Sequence, residues 1–78
     1  MGNRLAITDD GKLCVNDYRS IYKAILVELC KGPKSILDLV ISIRKTYIEF
    51  KYIKDNIIVG AIGELMKCRL VVSTYKDE

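Results

Sequence analysis

The stretch from Lys51 to Val72 constrains this chain most, because it passes from helical to strand patterning without a break. A basic, aromatic lead-in, Lys51-Tyr52-Ile53-Lys54, precedes Asp55-Asn56, a pair suited to a helix start. Apolar residues then recur at helical spacing. Ile57, Ile58, Ala61, Ile62 and Leu65 form one face, and Asn56, Gly60, Gly63 and Lys67 form the opposite stripe. The run closes on Lys67-Cys68-Arg69, and cations suit a helix C-terminus. Leu70 to Tyr75 reads as a β-branched strand, followed by the polar tail Lys76-Asp77-Glu78.

Two glycines inside this helix need a reason, since each costs about 0.5–1 kcal/mol relative to alanine. Gly60 and Gly63 share the face turned away from the expected core, where they would admit another backbone. Val59 and Met66 flank that stripe and widen its apolar surface.

Upstream, Leu5 to Thr8 and Lys12 to Val15 flank Asp9-Asp10-Gly11, which predicts an N-terminal β-hairpin. Asn16 or Asp17 is the expected N-cap of a first helix. Its core face is Tyr18, Ile21, Tyr22, Ile25, Leu26 and Leu29, with Arg19, Lys23 and Glu28 off that face and Val27 nearly opposite, exposed unless a partner covers it. Lys31-Gly32-Pro33 ends it. Ser35 and Asp38 resemble a capping box for a second helix. The polar positions Asp38, Ser42, Lys45 and Glu49 make one thin stripe on an otherwise apolar cylinder, so this helix is central or carries an oligomer contact. The spacing predicts a helix reaching Tyr47 or beyond, the alternative being a strand from Tyr47 to Ile53.

Seventy-eight residues make a single domain over positions 1–78. The absence of histidine excludes nucleophile–His and His-metal chemistry, and neither a phosphate loop nor a paired-carboxylate site is visible, so no enzyme, cofactor or small-molecule substrate is expected. Cys14, Cys30 and Cys68 are widely spaced and form no C-x-x-C pair. They read as buried residues in a reducing cytoplasm, with no metal site. No apolar run is long enough for a membrane span. A net charge of +3 permits contact with nucleic acid without demanding it.

From Tyr18 to Tyr75 the order of elements resembles the winged helix-turn-helix domain: a first helix ending at Lys31-Gly32-Pro33, a second capped at Ser35, and a third closing as Leu65-Met66-Lys67-Cys68-Arg69-Leu70-Val71. The resemblance implies an α+β fold of three helices with a small antiparallel sheet, built here from the N-terminal hairpin and the C-terminal strand. It departs from that family in two places. Ser35 to Val71 is about two helical turns longer than the compact form, and the chain leaves no room for a long second wing strand. The Asp9-Asp10-Gly11 turn is acidic and would repel phosphate.

The resemblance further implies that the third helix enters the major groove of double-stranded DNA. The candidate DNA contacts are then Arg44, Lys45, Lys51, Tyr52, Lys54, Asn56, Gly60, Gly63 and Lys67. Val27, Val59 and Met66 lie outside the expected core stripes and are the candidate dimer or partner contacts of a small homodimeric regulator. The competing expectation is a winged-helix protein–protein interaction module that does not bind DNA, supported by the missing wing and the apolar edge at Val59 and Met66.

Overall fold

Backbone pairing begins at the N-terminus. A computed structural model describes residues 3–75, and these open on strand β1 (Asn3–Ile7), which pairs antiparallel with β2 (Val71–Tyr75) in the register Leu5–Ser73 and Ile7–Val71. Between them lie helices α1 (Asp9–Cys14), α2 (Ser20–Cys30), α3 (Ile36–Thr46) and α4 (Asp55–Lys67), with short 3-10 turns at Val15–Asp17 and Ile48–Phe50. The described residues are thus α+β, with four helices rather than three. The expected polar tail from Lys76 lies outside them.

On its other side β1 bridges the α2–α3 connection. The Leu5 N–H donates to the Lys34 carbonyl at 2.7 Å, and the Lys34 N–H returns a bond to the Leu5 carbonyl at 3.0 Å. Both main-chain groups of Leu5 therefore point away from β2, which leaves the alternate residues of β1 to bond it. The predicted pairing of the N-terminal segment with the C-terminal strand holds. The predicted hairpin does not, because only its first arm is a strand.

The second arm is α1, and two contacts explain it. The Thr8 hydroxyl caps the helix by accepting from the Gly11 N–H at 3.0 Å, and Asp9 and Asp10 sit in the first turn, where the helix dipole favours acid. Gly11 is buried against the end of α4. A Cβ there would lie 2.4 Å from the Leu70 carbonyl oxygen and 2.6 Å from Ile7 Cγ1. This glycine serves close approach and not a reversing turn.

After α1 the chain turns through Val15–Asp17, so Asn16 and Asp17 are spent in that turn. α2 starts later than expected, with Arg19 at its N-cap and no side-chain cap bond. At its far end Gly32 takes a φ of +143°, as a glycine after a helix can. α2 buries Ile21, Ala24, Ile25, Leu26 and Leu29, with Tyr22 partly buried beside them. Glu28, expected off the core face, is only 2% exposed and pairs with Lys31 Nζ at 3.1 Å. Val27 is half-buried rather than exposed.

α3 begins as expected, with Ser35 Oγ accepting from the Asp38 N–H at 3.1 Å. It ends at Thr46, and Tyr47 is its C-cap, followed by a 3-10 turn and not a strand. Only Leu39, Val40 and Ile43 are buried, while Ile36, Leu37 and Ile41 are exposed. α3 is therefore not a central helix.

α4 completes the core with Ile58, Ala61, Ile62 and Leu65; Ile57, expected on the same face, is exposed at its margin. Its C-terminus is a Schellman motif. The Leu70 N–H donates to the Leu65 carbonyl, the Arg69 N–H donates to the Met66 carbonyl, and Arg69 has a φ of +61°. Leu65 and Leu70, the apolar pair of that motif, are both buried. The cysteines also differ from expectation, since Cys14 is half-buried and Cys30 and Cys68 are exposed; all three are free. Among the described residues no helix is long and apolar enough to cross a membrane.

Candidate functional site

The face of α4 turned from the core gathers four of the nine candidate DNA contacts. Asn56, Gly60 and Lys67 are exposed and Gly63 is half-buried. A Cβ built at Gly60 or Gly63 meets nothing within 4 Å, so no contact within the described residues calls for either glycine. Val59 and Met66 are exposed beside the stripe. Val27 belongs to α2, where it is half-buried.

The approach to α4 is basic. Lys54 is its N-cap, in extended conformation and without a side-chain cap bond. The Lys51 ammonium lies 5.6 Å from the centre of the Tyr52 ring, within cation–π range, and Tyr52 is 88% exposed. The first turn of α4 also carries the positive end of the helix dipole.

Arg44 behaves differently from the lysines. Its guanidinium donates to the Ile53 carbonyl and pairs with the Asp55 carboxylate, tying the end of α3 to the start of α4. That pairing occupies the Arg44 guanidinium and offsets the negative charge of Asp55. Lys51 and Lys54 then dominate the charge at this end, with Glu49 exposed nearby. Lys45 is exposed on α3.

Sequence reasoning missed several features. Counting apolar positions put Ile57 on the core face, where it is half-exposed, and left Leu37 and Ile41 unresolved between core and contact. Glu28 and Lys31, three residues apart on α2 and its cap, carried a readable ion-pair signal. The Tyr47 hydroxyl is held above its usual value near 10, by burial first and by the Glu28 carboxylate next, with Lys31 opposing. No candidate metal cluster of three or more His, Cys, Asp or Glu occurs among the described residues. Comparison with protein-family models, with curated proteins and with solved structures returns no match.

Proposed function

We propose that this chain is a small winged-helix DNA-binding transcriptional regulator, cytoplasmic and homodimeric, with α4 lying in the major groove. The observation that carries the reading is the outward face of α4, where Gly60 and Gly63, at which a Cβ would meet nothing within 4 Å, lie in line with Asn56 and Lys67, while Lys51 and Lys54 precede the helix. A groove-binding helix needs a slim face that lets the sugar-phosphate strands come close, with cations at its edges and an amide able to pair with adenine. The arrangement of strands supports the fold: β1 lies between Lys34 and β2, in the place a second wing strand would fill. The proposed role requires no cofactor, small-molecule substrate or catalytic residue.

A salt titration of binding to duplex DNA tests it. Lys51, Lys54 and Lys67 from two subunits would neutralise about six phosphates, so log affinity falls with log salt at a slope of about −5. No duplex binding even at about 50 mM salt, where such contacts are strongest, would end the regulator reading.

The second reading is a protein-interaction module built on the same winged-helix frame. It is favoured by one specific observation, the exposure of Ile57, Val59 and Met66 around the glycine stripe. Apolar side chains at that density suit a protein partner better than phosphate.

A further inference from the structure

We propose that α3 carries the homodimer contact, packing antiparallel on α3 of a second copy about a two-fold axis between Ile41 and Ser42. The inference rests on the homodimeric reading above and assigns its surface. Leu37 is 67% exposed and Ile41 51%, one helical turn apart on the side of α3 turned from Leu39, Val40 and Ile43. Ile36 is also exposed in the first turn, and Ile48 is 84% exposed just beyond the helix end. These side chains stay in water while α3 uses only three residues for the core.

Charge selects the occupant. Asp38 and Lys45 stand seven residues apart, two turns of helix, and so lie along one margin of the exposed strip. Both are exposed, and neither has an ion-pair partner among the described residues, whose pairs are Glu28–Lys31 and Arg44–Asp55. Turning a second α3 end over end about the point between positions 41 and 42 exchanges position 38 with position 45. Each Asp38 then faces Lys45 of the other copy, twice across the axis. A parallel pairing would instead carry the two Asp38–Lys45 margins to opposite sides of the seam and leave these charges without partners. In the antiparallel pairing Ile41 of each copy meets the other near the axis. The aliphatic stem of Lys45 covers Leu37 of the opposite copy. The axes of the two helix dipoles are opposed, which is favourable. The surface is thus complementary to itself, and Lys45 serves the second subunit rather than DNA.

Acid early and base late also suit a solitary helix, so the test reverses charge as well as removing apolar surface. Sedimentation equilibrium of the full chain is run over a concentration series with reductant, which keeps the exposed Cys30 and Cys68 from cross-linking. The wild type dimerises, and Ile41→Glu raises the dissociation constant at least about thirtyfold, as for a buried interface anchor. Asp38→Lys alone and Lys45→Asp alone each weaken the dimer about tenfold, and the two together restore it. Circular dichroism confirms that each variant keeps its helices. If Ile41→Glu still dimerises while Val59→Asp with Met66→Asp does not, the α3 interface is wrong and the homodimeric reading survives. If Ile41→Glu dissociates but the double charge reversal fails to restore the dimer, the antiparallel register is overturned. A wild type that stays monomeric throughout overturns the homodimeric reading itself.

Discussion

Replacing Gly11 by alanine is expected to destabilise the domain, whereas the same change at Gly60 stabilises it. Both glycines lie in helices, where alanine gains about 1 kcal/mol from propensity. At Gly60 nothing offsets that gain, because the added methyl enters open space. At Gly11 the methyl would sit 2.4 Å from the Leu70 carbonyl oxygen, and that oxygen is not free to move. It accepts the Thr8 N–H at 2.9 Å and lies 3.1 Å from the Thr8 hydroxyl, which also donates to the Arg69 carbonyl at 2.9 Å. Relief requires α1 to lift off the α4 terminus. Overpacking of this kind costs about 1–3 kcal/mol, and each weakened hydrogen bond adds about 0.5–1.5 kcal/mol. Subtracting the propensity gain leaves a net loss of about 1–3 kcal/mol at Gly11, against a gain of up to about 1 kcal/mol at Gly60. In a domain of this size 1 kcal/mol moves Tm by about 4–8 °C, so the two variants separate clearly in thermal melts followed at 222 nm. Urea melts at two protein concentrations remove any contribution from dimerisation. A Gly11→Ala variant as stable as Gly60→Ala would refute the packing of α1 against Leu70.

Three further outcomes are expected. Arg69 holds a left-handed conformation that glycine adopts without steric cost, so Arg69→Gly raises stability by about 0.5–1 kcal/mol in urea melts. The raised value of Tyr47 means that the folded state keeps its proton longer than the unfolded state; stability is therefore full below about pH 10 and falls as pH rises from there through the folded value. Tyr47→Phe makes that alkaline loss shallower in melts from neutral pH upward, and it does not abolish the loss, because Tyr18 is raised too. On the DNA reading, Lys54→Ala weakens binding to every duplex and flattens the salt slope by about 1 per subunit, while Asn56→Ala costs about 1–3 kcal/mol on a preferred site alone, both measured by fluorescence anisotropy.

What could be read from sequence was whatever depended on neighbours within a few residues. The Ser35 cap, the Gly32 terminator and the run from α4 into β2 are local patterns with one physical meaning each. Asp9-Asp10-Gly11 has two. Acid followed by glycine suits a hairpin turn and equally suits the first turn of a helix capped by Thr8. The choice is made by Leu70, 59 residues away, whose carbonyl leaves space for a glycine and not for a side chain. Periodicity failed in a related way on α3. It counts apolar residues without knowing how many neighbours exist to cover them, and the domain supplies cover for Leu39, Val40 and Ile43 while Leu37 and Ile41 stay in water. Glu28 shows the reverse error, a charge assigned to solvent that Lys31 allows to be buried.

The candidate surface on α4 is held by anchors at both ends, and these bear on what it can bind. At the N-terminal end Arg44 grips the Ile53 carbonyl and Asp55, which fixes the approach from the Lys51–Lys54 segment. At the C-terminal end the Schellman turn at Arg69 is clasped by the Thr8 hydroxyl and Thr8 N–H. In between, Ile58, Ala61, Ile62 and Leu65 fix the rotation of the helix about its axis. A ligand touching Asn56, Gly60 and Lys67 therefore meets a surface already set in place, and little of the binding energy is lost to ordering it. The exception is the side chains themselves. Lys51, Lys54 and Tyr52 are exposed, so their conformations are what a partner still has to fix. DNA asks little of lysines in that respect, since a phosphate strand attracts a mobile ammonium at many positions along its length. A protein partner would need Tyr52 immobilised as an anchor. Tyr52→Ala therefore separates the two readings of this surface: it leaves the salt slope of DNA binding unchanged, and it removes most of the affinity for a protein.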